Sequence, residues 1–129
     1  MSVSLAKALE LVRKAVEAGE AQKCPIVAVV TDVAGNIVAA GRMDGVGHIN
    51  TEVARKKALC AATFKIPTHD FVEGVSRDPL AKQVVLNDPV ICPLPGGFPV
   101  MIGERCVGAL GIAGGYYLQD RAIGEYAMS

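Results

Sequence analysis

The chain lacks tryptophan, carries three phenylalanines and three tyrosines, and has no surplus of either charge: 13 lysines and arginines balance 13 aspartates and glutamates. A nucleic-acid-binding surface normally shows a basic excess with interleaved aromatics. The only basic run here is Arg55-Lys56-Lys57, without an aromatic neighbour, so nucleic acid is not an expected partner. No apolar run reaches the length that crosses a bilayer. The N-terminal MSVSLAKALELVRKAVEAGE breaks its apolar residues with charges and has no continuous signal-peptide core. Four cysteines, Cys24, Cys60, Cys92 and Cys106, include no CxxC pair, which removes the zinc-ribbon and thioredoxin motifs. A Walker loop, a dinucleotide fingerprint, a GxSxG elbow and an HExxH pair are also missing. The expectation from these absences is a reduced, cytoplasmic protein that meets neither membrane nor nucleic acid.

What the chain has in quantity is small and apolar residues: 51% are hydrophobic and 14 are glycine, against 20% charged. That is too apolar for disorder, and 129 residues suit a single domain, 1–129. The apolar surplus predicts self-association.

Helical spacing of Leu5, Ala8, Leu9, Val12, Ala15 and Val16 predicts a first helix with that face buried, capped by Ser2 or Ser4. The run after Pro25, the turn Ala34-Gly35-Asn36 and Ile37–Ala40 predict a hairpin. A second helix follows RMDGVGH, capped by Asn50 or Thr51, with Val53, Ala54, Ala58, Ala61 and Ala62 as a small-residue stripe suited to close helix–sheet packing. Two short helices are expected next, His69–Gly74 capped by Thr68 and Leu80–Leu86 opened by Asp78-Pro79. A strand over Val90–Cys92, a hairpin turning at Gly103-Glu104 and a last helix with the stripe Leu118, Ile123 and Ala127 complete the order α-β-β-α-α-α-β-β-β-α. Short turns between strands imply antiparallel pairing, an α+β fold.

Three places invite chemistry. In the loop Arg42–His48, Gly45 and Gly47 let the backbone turn into a helix N-terminus, an arrangement shared by simple turns and by anion sites. His48 and His69 are the only histidines and neither has a second ligand at helical spacing, so a dedicated zinc site is not expected, whereas a single imidazole suffices for haem iron. Cys60 sits mid-helix one turn after Lys56, which would lower its pKa if both faced one cavity; a buried inert thiol is the competing reading.

Taken together, Asp32–Asn36, Gly41-Arg42-Met43-Asp44-Gly45, Ala54-Arg55-Lys56-Lys57-Ala58, Ala61–Phe64, Leu94–Val100 and Val107–Gly111 resemble, in order and over nearly the whole chain, the GlcG/HbpS-like family, which includes the C-terminal domain of PduO-type proteins. Cys60 and Ala113 stand where the family often has hydroxyl residues. The resemblance implies a five-stranded antiparallel sheet flanked by helices, profilin-like, in dimers and octamers. It also implies a small-molecule ligand, with haem or a related tetrapyrrole as the candidate cofactor. The implied site gathers Asp44, Gly45, His48, Arg55, Lys57, Gly96 and Gly97: His48 as iron ligand, Arg55 and Lys57 pairing carboxylates, and Gly96 and Gly97 offering N–H groups. Some members accompany catabolic enzymes, which keeps a second reading open: an enzyme or accessory factor for a small carbonyl or carboxylate metabolite, with Arg55 as anchor and Lys57, Asp44 or Cys60 moving protons. A scaffold without ligand is the third.

Overall fold

A computed structural model describes residues 1–129. Its elements are α1 (Leu5–Ala21), β1 (Val27–Thr31), β2 (Ile37–Arg42), α2 (Ile49–Phe64), α3 (Thr68–Val75), α4 (Pro79–Leu86), β3 (Gly97–Ile102), β4 (Arg105–Ala113) and α5 (Tyr117–Met128). The strands form one antiparallel sheet in the order β2-β1-β4-β3. Helices α1 and α5 pack on one face and α2 on the other. No helix is long and apolar enough to cross a membrane.

The α+β class and the five helices are as expected, but the sheet has four strands rather than five. The segment 90–92 forms no ladder. The Asp88 carboxylate accepts the N–H groups of Val90 and Ile91, and Cys92 N–H turns to the Lys56 carbonyl. Pro89, Pro93 and Pro95 have no N–H to offer, so the stretch cannot sustain pairing.

Residues of β1 alternate between the layers. Ile26, Ala28 and Val30 face α1 and α5 in the main core, while Val27 and Val29 face α2. The first face is filled by large side chains (Leu11, Leu110, Ile112, Ile123) and the second by small ones. Helix α1 buries Ala8, Leu11, Ala15 and Ala18, leaving the expected core residues Leu5 and Leu9 exposed. The chain there has more apolar residues than one helical face can bury, and the phase follows the 8-11-15-18 row, which places the smallest residues against the sheet. In α5 the buried row is Asp120, Ile123, Gly124 and Ala127, with Leu118 outside it.

Caps differ in part from expectation. Ser4 accepts from Lys7 N–H and Asp78 from Leu80 and Ala81 N–H. Helix α2 is preceded by His48 at its cap position with no side-chain cap bond, and Thr68 lies inside α3 with its hydroxyl turned to Gly97 N–H. The β1–β2 turn is held by Asp32, whose carboxylate accepts the N–H groups of Ala34 and Asn36 and the Asn36 amide. Those bonds, the Asn36 side chain first, hold its pKa below the ordinary value. A carboxyl lowered in the folded chain contributes stability above its unfolded pKa and loses it as pH falls through the folded one. Asp32→Ala is expected to cost about 1 kcal/mol in urea unfolding near neutrality and nothing once the pH is below that range; an equal cost at both pH values would refute the turn's role.

Candidate functional site

The site begins with two glycines. Gly97 of β3 and Gly111 of β4 are cross-strand partners on the sheet face that meets α2. A Cβ on Gly97 would stand 2.4 Å from the Lys57 carbonyl oxygen, and one on Gly111 would stand 1.8 Å from that of Ala54. The helix backbone therefore rests directly on the sheet, against a surface otherwise made of Val27, Val29, Cys106, Ala109 and Ala113, and the alanine stripe is close packing as read.

That contact lowers the N-terminal half of α2 toward the end of β4, where the chain turns through Gly114 and Gly115 into α5. Between them opens a cleft of about 290 Å³, lined on α2 by Asn50, Val53 and Lys57, at the junction by Ala113, Gly114 and Gly115, on α5 by Tyr117 and Asp120 with Tyr116 at its cap, and on the preceding loop by Leu94. The Tyr116 and Tyr117 rings lie 4.3 Å apart, centroid to centroid. Leu94 and Tyr116 are exposed among these lining residues, which gives the mouth apolar surface.

At its floor lies a buried ion pair. Lys57 and Asp120 are each only 2% exposed, with Nζ 3.0 Å from Oδ2. The same Nζ donates to the Ile112 carbonyl at 2.8 Å, which uses two of the three ammonium hydrogens. Asp120 Oδ1 accepts Gly115 N–H at 2.9 Å, so one carboxylate ties α2, the glycine turn and α5 together. Burial raises the pKa of Asp120, outweighing the Lys57 charge and the two hydrogen bonds that favour the carboxylate.

Of the residues singled out from sequence, Lys57 lines this cleft, and Gly96 adjoins it: a Cβ there would lie 3.1 Å from Lys57 Nζ. Gly97 is in the seat beneath α2, and its N–H is taken by Thr68 Oγ1 at 2.9 Å. Arg55 lies elsewhere on α2, bound to Glu52 through two nitrogens and to the Gly35 carbonyl. Asp44 lines a separate hollow with Val16, Glu20, Pro25 and Met43. Gly45 is exposed at φ +85, a conformation natural to glycine. His48 is exposed at the start of α2, two residues before Asn50, and its imidazole makes no hydrogen bond within the chain. His69 is different: its ring packs against Phe98 with centroids 5.8 Å apart, and its buried Nδ1 has no partner.

Cys60 is fully buried, and burial pushes its pKa up to about 12, with the neighbouring Cys92 and Asp88 adding to the rise. Of the two readings of Cys60, the buried thiol is the one the structure fits: burial, with no lowering by Lys56, keeps it protonated at neutral pH. Sequence reasoning missed Asp120, Tyr116 and Tyr117. Asp120 reads locally as an ordinary acidic residue in the first turn of a helix, and only its burial opposite Lys57 marks it. Arg42, quoted from sequence as part of the loop without a role of its own, donates its guanidinium to the Val46 carbonyl at 2.7 Å and closes the loop before α2.

A 15.0 kDa protein encoded between dhaT and dhaS in Citrobacter freundii is 30% identical, over 98% of this chain and 90% of that protein. The corrinoid adenosyltransferase PduO of the same organism is 30% identical over all of this chain, which spans only 39% of PduO's length. A crystal structure of a PduOC–haem complex superposes with a TM-score of 0.87 at 27% identity, covering 99% of this chain and 94% of that one. The family model described as haem degrading protein HbpS-like matches residues 3–129, and the chain thus belongs to the HbpS-like family.

Proposed function

We propose that the protein binds haem or a related tetrapyrrole at the cleft between α2 and the β4–α5 junction. The observation that carries this reading is the haem complex of the PduOC structure, which shares this fold over almost the entire chain at 27% identity. The residues present suit such a ligand. A flat macrocycle finds apolar and aromatic surface in Val53, Leu94, Ala113, Tyr116 and Tyr117, and Lys57 at the floor, already paired with Asp120, keeps one ammonium hydrogen for a ligand oxygen. No cluster of three or more His, Cys, Asp or Glu side chains could hold a bare metal ion, so the macrocycle would bring its own ligands and the chain one more. His48, unbonded and exposed at the head of α2, is our choice for it. Gly45 and Asp44 belong to the loop that delivers His48, and Gly96 to the one that delivers Leu94, with Gly97 opening β3 just after it. Arg55 would reach a ligand carboxylate only by leaving Glu52. Bound haem would supply an iron centre; the chain's own part is to orient the ring, shield one face from water and neutralise its carboxylates.

We place the protein in homo-oligomers, dimers and then octamers. Helix α4 has no buried residue, yet carries Leu80, Val84 and Leu86 on its surface. Covering them between subunits removes apolar area from water. Light scattering at a monomer's mass over a wide concentration range would reject this.

Haemin titration of the purified protein tests the main reading. A Soret shift saturating at a defined ratio of haem to subunit is expected, and a shallow, non-saturating change would overturn it. His48→Ala should weaken binding at least about tenfold, roughly 1.4 kcal/mol, and alter the band. Unchanged affinity and band position would remove His48 from the iron. The enzyme reading is not favoured: Arg55 is held by Glu52 and Gly35, and Cys60 is sealed in the interior.

A further inference from the structure

Cys60 is completely buried but belongs to none of the apolar clusters of the core. Its cover is the loop that follows α4. Cys92 N–H donates to the Lys56 carbonyl at 3.3 Å, and within α2 the same carbonyl accepts the N–H of residue 60. The backbone nitrogens of Cys60 and Cys92 thus share one acceptor and are at most about 6 Å apart. A disulfide requires Cα atoms about 4.4–6.8 Å apart, a separation that this shared acceptor allows. Both cysteines are free thiols in the structure, and Cys92 is partly exposed where Cys60 is not. Two residues further on, Leu94 lines the cleft and Gly96 adjoins Lys57.

We propose that Cys60 and Cys92 form a reversible disulfide when the protein meets hydrogen peroxide, tying the loop that walls the cleft to α2. Exposure assigns the order of events. The Cys92 thiolate attacks one peroxide oxygen, the O–O bond breaks, hydroxide leaves and Cys92 becomes a sulfenic acid. The Cys60 sulfur then attacks the Cys92 sulfur; the S–S bond forms, the S–O bond breaks, and the departing hydroxide takes the Cys60 proton as water. Two thiols lose two electrons in all, and peroxide is reduced to two waters. Cys60 follows rather than leads because its buried thiol stays protonated. Cys24 and Cys106 take no part: Cys24 is buried against Gly115, and the Cys106 thiol is buried and donates to the Gly108 carbonyl.

The test is peroxide treatment of the intact reduced protein, alkylation under denaturing conditions, and mass mapping with and without reductant. Titratable thiols should fall from the four of the sequence to two, with the chain lighter by two hydrogens and one reducible peptide pair containing Cys60 and Cys92. Cys92→Ser should keep its remaining thiols, and Cys60→Ala should halt at a Cys92 sulfenic acid that a dimedone probe captures. Four alkylated thiols after treatment, a Cys92–Cys92 link between chains, or Cys92 driven to sulfinic acid beside a reduced Cys60 would each overturn the proposal.

Discussion

Gly111→Ala is expected to leave little folded protein. The added Cβ would stand 1.8 Å from the Ala54 carbonyl oxygen and 3.0 Å from the Ala58 nitrogen, and both are helix backbone, which no rotamer change can move aside. Relief requires α2 to lift off the sheet, which opens voids along Ala54, Ala58 and Ala61 and separates Asn50 and Val53 from the cleft they line. Overpacking of a core with room to adjust costs about 1–3 kcal/mol. Here backbone meets backbone, so the loss should exceed about 3 kcal/mol, a large part of a typical total of about 5–15 kcal/mol. Gly74→Ala is the natural control. Gly74 lies in α3 with open space around its would-be Cβ, so alanine there should stabilise by about 0.5 kcal/mol through the unfolded chain. Urea unfolding of the two variants measures both. A Gly111→Ala protein within about 1 kcal/mol of wild type would show that α2 does not rest on the strands as described.

The second large effect concerns the pair beneath the cleft. Asp120→Ala removes the counter-charge of Lys57 while leaving the ammonium buried against Ile112, and should cost about 3–5 kcal/mol. Lys57→Met should cost less, because the remaining carboxyl can take up a proton and keep its bond from Gly115. Its pKa is already raised by burial in the intact protein. A carboxyl raised in the folded state holds its proton more tightly there than when unfolded. Its contribution to stability is fully present below the unfolded pKa and lost as pH rises through the folded one. Above the ordinary aspartate pKa of 3.8, the Asp120 term therefore declines with rising pH, opposite in sign to the Asp32 term. Lys57→Met should widen that decline by removing the charge that favours the carboxylate, and Asp120→Ala should abolish it. In the double variant the cost should be well below the sum of the two singles, since neither partner is left alone. Additive and small costs in urea unfolding across this cycle would mean that the pair contributes little to holding α5 against α2.

Much of this was legible in one dimension. Period-two and near-four patterns located all nine elements found, because alternation and helical spacing are consequences of which side chains must face a core. The buried row of α1 was read only in part, since its many apolar residues do not say which row lies against the sheet; Leu11 is buried and Leu9 is not. The false strand at 90–92 arose because the pattern counts side chains while pairing depends on N–H groups, and those are spent on Asp88 and Lys56 or absent at proline.

The amino-acid order by itself determined the helices, the antiparallel class and the small-residue face of α2, all of which rest on local spacing and residue size. Only the tertiary structure decided what Lys57 is paired with, where the cleft opens and which cysteines are neighbours. Asp120 lies 63 residues from Lys57 along the chain, and no local pattern records a contact at that separation. It exists because two glycines without side chains let a helix sink onto the sheet, bringing a lysine and an aspartate from helices on opposite faces of that sheet into one water-poor pocket where each needs the other.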